Sequence, residues 1–202
     1  MRNYFLVAVI LLIAVSAFAA VHQRAYQYFP VLKEEHALIW PDSDIGIIGS
    51  QIAHESAWKE TATRKEASGV ISYGVLQVLD VTYDELKKKN PLLLKGSPAT
   101  MLRARMGIRA GILYDKQMYG LVGFAENEKE RYAFTLSAYN GGFGNLLRDR
   151  KLTEANGYNP NKWFGNTELF SKRSTQNLKI NRRYVSGIIK QADEYRRTIN
   201  AF

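Results

Sequence analysis

The stretch Asp42-Ser-Asp-Ile-Gly-Ile-Ile-Gly-Ser-Gln-Ile-Ala-His-Glu-Ser-Ala-Trp58 decides how the chain is read. Asp42, Ser43 or Asp44 can cap a helix start, because a short side-chain oxygen accepts an N–H that the first turn leaves unpaired. Ile45, Ile48 and Ile52 follow at spacings of three and four, which is one helix face. Glu55 is the next member of that series. The apolar stripe therefore ends in an acid turned toward the protein body, with Trp58 one turn further on. A carboxylate there has two readings. It can swing to solvent or pair with an arginine, as helix-end glutamates do. Or it is desolvated, in which case burial disfavours the charged form and the acid can donate a proton near neutral pH.

The rest of the chain bounds the choice. With 202 residues, 46% of them hydrophobic and 12% aromatic, one good core is affordable and one domain is the default. Lys+Arg 28 against Asp+Glu 19 gives a net charge of +9, which calls for an anionic partner: nucleic acid, phospholipid head groups or an acidic wall polymer. There is no cysteine, which removes disulfides, thiolate metal sites, thiol catalysis and a lipidated N-terminal Cys. His22, His36 and His54 are too scattered for a zinc site, so no metal and no cofactor is expected.

Residues 1–19 carry one positive charge, a long apolar run and a small-x-small step at Ala17-Phe-Ala19. This pattern is a signal peptide cleaved after Ala19. The alternative is an uncleaved anchor, since the uncharged run from Asn3 to Val21 is just long enough to span a bilayer of about 20 residues. Cleavage removes only Arg2, leaving +9 − 1 = +8. Either way the remainder is exported, to the periplasm or cell envelope. Nucleic acid then becomes a poor partner and the wall a better one.

Residues 20–40 read as a leader and a short packing helix, punctuated by Pro30 and Pro41, and residues 41–202 as the main domain. Lys59 to Tyr73 reads as a polar loop able to carry a binding strand or an active-site lip. Ser72 to Leu79 is too short to assign. Asp80 or Thr82 caps a helix that ends at the lysine run before Pro91. Ser97-Pro98 opens another, with Leu102, Met106, Ala110, Leu113 and Gln117 on one face and Gly107 and Gly111 set for close helix packing. Glu130 to Tyr139 is a buried helix stopped by Asn140-Gly-Gly142. Asn156 to Ser174 is either a surface loop or an aromatic lip over a sugar groove, through Tyr158, Trp163, Phe164 and Phe170. Tyr184, Ile188, Ala192, Tyr195 and Ile199 form the apolar stripe of a basic closing helix. No stretch alternates with period two, so the chain is mainly α.

Several chemistries fail on inspection. His54-Glu55 would begin an H-E-x-x-H zinc motif, but Trp58 stands where the second histidine must be. No G-x-S-x-G elbow and no phosphate-binding glycine loop with Lys-Ser/Thr is present. A lone carboxyl on an apolar helix face remains, in an exported basic chain with polar and aromatic loops.

At this point five short segments, in order over residues 48–190, carry a family resemblance. Glu55-Ser-Ala-Trp58 resembles the catalytic signature of the soluble lytic transglycosylases of lysozyme-like fold. Ser68 followed by Gly74-Val-Leu-Gln77 resembles that family's S-x-x-G-A-x-G-L-M-Q segment, and Gly107-Ile-Arg-Ala-Gly111 its N-I-x-x-G helix. Ala138-Tyr-Asn-Gly-Gly142 resembles A-Y-N-A-G, and Arg182-Arg-Tyr-Val185 the closing Y-V motif.

The resemblance implies a mainly α, lysozyme-like single domain with a minor β hairpin or lip near the active site. It implies cleavage of peptidoglycan glycan strands between N-acetylmuramic acid and N-acetylglucosamine, with Glu55 as sole acid and base and a 1,6-anhydromuramoyl end as product. It places Ser68, Gln77, Leu79, Tyr139, Asn140 and Tyr184 along the substrate groove, with Tyr139 close to Glu55. The pattern departs from the family where an acidic residue commonly precedes Y-V: Ile180 or Asn181 stands there. A hydrolytic muramidase on the same fold and a non-catalytic wall-binding assembly component are the alternatives. A membrane tether through the N-terminus, and a secretion, conjugation or phage apparatus as partner, stay open.

Overall fold

The computed structural model describes residues 23–66 and 68–202. The apolar N-terminal run, with its expected cleavage point, lies outside the described residues. The architecture is helical, with one small sheet, as the resemblance implies.

Helix α1 (Phe29–Ile39) turns Phe29, Leu32, Glu35 and Ile39 inward. Glu35 is buried because two arginines of a later helix reach it: Arg105 Nη1 at 2.8 Å, and Arg109 through Nε at 2.7 Å and Nη2 at 2.8 Å. Helix α2 (Ile45–Ser56) is capped by Asp44, whose side chain accepts from the Gly46 N–H at 2.9 Å. It stops at Ser56 because Ala57 and Trp58 both take the left-handed conformation, with φ of 50° and 62°. Trp58 is therefore not one turn further along the stripe, as the spacing suggested. The reversal folds it back into the core, fully buried, stacked on Tyr28 and Tyr195 and edge-on to Phe29.

Strands β1 (Thr63–Lys65), β2 (Ile71–Tyr73) and β3 (Val78–Leu79) form an antiparallel sheet in that order. Thr63 faces Tyr73, and Ser72 faces Leu79. Strands of two and three residues are too short to show an alternating pattern, which is why the sequence hid them. The β2–β3 turn passes through Gly74 at φ 75°. A Cβ there would stand 2.2 Å from the Met101 carbonyl oxygen.

Helix α3 (Asp80–Lys89) follows without a side-chain cap. Pro98–Leu102 forms a 3-10 turn and helix α4 (Ala104–Leu121) begins only after it. Ser97 makes no capping bond; the Glu60 carboxylate accepts from the Ala104 N–H at 3.0 Å instead. The buried face of α4 also differs from the expected stripe. Leu102, Met106 and Gln117 are half-exposed, while Gly107, Ile108, Gly111, Ile112, Asp115 and Met118 face inward with Ala110 and Leu113. The reason is contact distance. Gly107 lets the helix approach the Met101 carbonyl, 2.7 Å from where its Cβ would stand, with Val75 behind it, and a Cβ on Gly111 would lie 2.1 Å from Leu76 Cδ1.

Helix α5 (Glu128–Gly141) is capped by Asn127 and ends at Gly142, φ 83°. Helix α6 (Phe143–Ala155) starts at once from that glycine. Its pattern is too weakly amphipathic to have been read from sequence. Between α6 and the next helix, Trp163 is buried edge-on to Phe134, and the Trp163 and Phe164 N–H groups donate to Glu130 at 2.6 and 3.2 Å. Trp163 is thus core, not lip. Helix α7 (Thr175–Ala201), capped by Ser174, buries the stripe Tyr184, Ile188, Ala192, Tyr195 and Ile199. Among the described residues no helix is long and apolar enough to cross a membrane, and no cluster of His, Asp and Glu could hold a metal.

Gly74→Ala is expected to destabilise the domain by about 2 kcal/mol or more, since it adds a clash to a left-handed backbone. In a domain of this size that lowers the thermal midpoint by roughly 4–8 °C. A midpoint within a degree of wild type would show that the turn relaxes freely.

Candidate active site

Glu55 occupies the last turn of α2, where the helix ends against α7. Tyr184 of α7 donates its hydroxyl to Glu55 Oε1 at 2.6 Å. By surface area the residue is half-buried, and protein packs closely around its carboxyl end. Desolvation is accordingly the dominant influence and pushes the Glu55 pKa up to about 7. The Tyr184 hydrogen bond and the more distant charge of Arg64, on β1, act the other way and are weaker. Of the two readings that the stripe left open, the structure therefore favours the desolvated acid.

The wall beside Glu55 is the β2–β3 turn. Ser56 donates to the Val75 carbonyl at 2.8 Å, and Tyr139 of α5 donates to the Leu76 carbonyl at 2.7 Å. Tyr139 packs against Tyr114 of α4, ring centres 4.8 Å apart. Burial raises its pKa first, and the charges of Asp115 and Glu55 raise it further, which places Tyr139 within electrostatic reach of Glu55.

The other expected groove residues divide. Gln77 sits at φ 47° with its amide engaged in the turn. It accepts from Ser72 Oγ at 2.9 Å and donates to the Gly74 and Ala62 carbonyls at 2.8 and 3.1 Å. Leu79 ends β3 and forms the N-cap position of α3. Ser68 is exposed in the β1–β2 turn, and Ser72 is the serine bonded to Gln77. Asn140 does not cap its helix; its Oδ1 accepts from Asn181 Nδ2 at 3.0 Å.

Asn181 also resolves the position where an acid was expected. It is fully buried, accepts from Ser137 Oγ at 2.9 Å and donates to the Ser137 carbonyl at 3.2 Å. It ties α7 to α5. Ile180 is half exposed, so neither residue brings a carboxylate to Glu55.

Sequence reasoning missed Gln51 and Asp115. Gln51 lies one turn before Glu55 on α2, and its Nε2 donates to Asp115 Oδ1 of α4 at 3.2 Å. The helical spacing of Gln51 from Glu55 was a usable signal. Asp115 offered none, because it lies off the expected face of α4.

A helical domain with a three-stranded lip and one desolvated glutamate facing a tyrosine is the lysozyme-like class. The chain belongs to the transglycosylase SLT domain family, whose model matches residues 45–162. It is 30% identical over 187 residues to a membrane-bound lytic murein transglycosylase F of Stutzerimonas stutzeri, covering 91% of this chain and 35% of that protein. It is 36% identical over 109 residues to the protein of the same name in Ectopseudomonas mendocina, covering 54% of this chain and 20% of the relative. Its fold matches the 70 kDa soluble lytic transglycosylase of Escherichia coli with a TM-score of 0.62 at 19% identity, over 85% of this chain and 24% of that one. The chain thus spans about a third of the first curated relative's length and about a quarter of the solved relative's.

Tyr184→Phe removes a hydrogen bond that favours the ionised carboxyl. The Glu55 titration midpoint should move up from about 7 by roughly one pH unit, the equivalent of one bond to a charged group. Carboxyl-carbon NMR titration reads it; a midpoint that falls would mean the tyrosine stabilises the neutral acid.

Proposed function

We propose that this chain is a peptidoglycan lytic transglycosylase in which Glu55 acts alone, first as acid and then as base. The observation that carries the reading is the placing of Glu55: it ends α2 against α7, accepts from the Tyr184 hydroxyl at 2.6 Å, and is desolvated enough to push its pKa up to about 7, so that both protonation states are accessible near neutral pH. Tyr184 donates to Oε1, and we assign the proton transfer to Oε2.

In the first step the Glu55 proton passes to the glycosidic oxygen between N-acetylmuramic acid and N-acetylglucosamine, and the bond to the muramoyl C1 breaks. In the second step Glu55 takes the proton of the muramoyl C6 hydroxyl while that oxygen closes on C1. The enzyme ends as it began, no water is consumed, and the product is a 1,6-anhydromuramoyl end. General acid catalysis of this kind supplies roughly 10²–10⁴-fold. Asp115, whose charge reaches Glu55, is 3% exposed and cannot present a second carboxylate to a sugar, so it is not the second member of the two-carboxylate scheme of most glycosidases. The relatives' printed names, lytic murein transglycosylases, support the same reaction and an envelope location. A solved complex of the 70-kDa soluble lytic transglycosylase with bulgecin A makes that compound a ligand to try. We place Tyr139 and Tyr184 at the reacting end of the groove. Gln77 acts through the wall that it braces. The apolar N-terminal run is the proposed export signal or tether.

Glu55→Gln should abolish release of anhydromuropeptides from purified peptidoglycan, read by mass spectrometry of the digest. Reducing ends without anhydro sugars from the wild type would point instead to hydrolysis. The same substitution should change stability with a fixed sign. The folded pKa of about 7 lies above the ordinary 4.5, so above pH 4.5 the unfolded chain sheds a proton that the folded protein keeps. Stability is lost as pH rises from 4.5 through 7. Glu55→Gln should therefore gain thermal midpoint over wild type across that window, and an advantage that shrinks with pH would contradict the desolvated acid.

A further inference from the structure

Among the buried acids that the proposed reaction does not use, Glu35, Asp149 and Glu130 are held by arginines or backbone N–H groups, and Asp115 is not. Asp115 is 3% exposed and Gln51 is fully buried, and the two are joined by the Gln51 Nε2–H to Asp115 Oδ1 bond of 3.2 Å. The remaining oxygens of the same two side chains, Gln51 Oε1 and Asp115 Oδ2, have no hydrogen-bond donor among the described residues. Both are acceptors when Asp115 is ionised. A single proton on Asp115 Oδ2 would satisfy them together, because a carboxylic acid and a primary amide close a two-bond ring: Nε2–H to Oδ1 and Oδ2–H to Oε1.

We propose that Asp115 is a neutral carboxylic acid in the folded protein, paired face to face with the Gln51 amide, and that this pair is a positioning device for Glu55. Ionised, Asp115 would be a buried charge with no compensating partner. The titratable groups that surround it are Glu55 of α2, Tyr114 of its own helix, Tyr139 of α5 and Tyr184 of α7. All are acids and none supplies a positive charge. Burial, and then the charge of Glu55, hold the Asp115 carboxyl well above the usual carboxylate range.

The pair acts on Glu55 through the helix. Gln51 stands four residues before Glu55, and one unbroken helix, α2, joins them. Anchoring Gln51 to α4 fixes the rotation of α2 about its axis, and with it the direction in which Glu55 meets Tyr184. A neutral Asp115 does this without placing a second negative charge beside the proposed base.

Carbon NMR of aspartate-labelled full chain tests the protonation directly. The Asp115 carboxyl carbon should hold its acid-form shift through pH 7. Titration with a midpoint of about 4, the ordinary aspartate value, would overturn the proposal. Thermal unfolding gives a second measure. Asp115→Asn keeps both ring bonds and cannot titrate. Its midpoint relative to wild type should climb as pH rises from 4 to 7, because only wild type loses stability as its unfolded state ionises. A difference that stays flat or falls with pH would overturn the neutral acid. The positioning half rests on the Glu55 reading above, and kinetics test it. Asp115→Leu should lower kcat by about tenfold at unchanged KM, and Asp115→Asn should recover most of that loss. Equal kcat in the leucine and asparagine variants would remove the positioning role. If Glu55→Gln remained active, the Glu55 reading would fail while the NMR result on Asp115 stood.

Discussion

Helices α2 and α7 cross at almost backbone contact, and the rest of the domain depends on that crossing. A Cβ on Gly46 would stand 2.2 Å from the Ala192 carbonyl oxygen, and one on Gly49 would stand 2.8 Å from Ile199 Cδ1. From the other side, a Cβ on Gly187 would meet the His54 ring at 2.6 Å. Three glycines thus interlock the two helices along the length of α2. At its N-terminal end Arg196 pairs with Asp44, the residue that also caps α2. At its C-terminal end the same close approach carries Tyr184 to Glu55. Helices held apart by ordinary side chains would admit water between them, and the carboxyl would lose both its hydrogen-bond donor and its desolvation.

The second constraint is the tight turn from Gly74 to Gln77. Its buried carbonyls are met from two sides, Val75 by Ser56 and Leu76 by Tyr139, while the two glycines of α4 let that helix close on its back. Unmet carbonyls in such a position would cost a desolvation penalty of about 1–3 kcal/mol each. Gln77 finishes the turn from inside, with its amide bonded to Ser72, Gly74 and Ala62. This changes the meaning of several residues that resemble groove positions of the family. Gln77 and Tyr139 have their polar atoms committed to the wall, and they shape the site by keeping that wall next to the last turn of α2.

The α2 helix, the mainly α class and the closing α7 stripe were legible because each rests on long, strongly periodic apolar patterns. Glu55 was legible as the polar end of one of them. The sheet was not, because its strands are shorter than one clear period of alternation. Trp58 was misplaced because two successive left-handed residues, Ala57 and Trp58, left no mark in composition. The α4 face was misassigned because its closest contacts are made by glycines, which a search for large apolar residues passes over. Asp115 was invisible for the same reason, since a buried acid on a face defined by glycine looks like a surface residue. Asn181 shows the reverse case: a position flagged for a missing charge proves to be a buried amide linking Ser137 and Asn140 to α7.

The distribution of arginine gives this arrangement its sense. Glu35 is buried and held by Arg105 and Arg109, and Asp149 is buried and held by Arg173 at 2.6 Å. Asp44 has Arg196, and Glu130 spends its carboxylate on two backbone N–H groups. The fold thus supplies a cation or paired N–H groups to its other enclosed acids. Among the described residues, Glu55 and Asp115 stand apart: a tyrosine faces one and an amide the other. An arginine at either place would stabilise the ionised form and hold it there. Tyr184 and Gln51 each donate to one carboxyl oxygen without bringing a positive charge, so protonation of the other stays accessible. Among the described residues neither Glu55 nor Asp115 has an ion pair with a basic side chain, and the one basic charge that acts on Glu55, that of Arg64, is outweighed by desolvation.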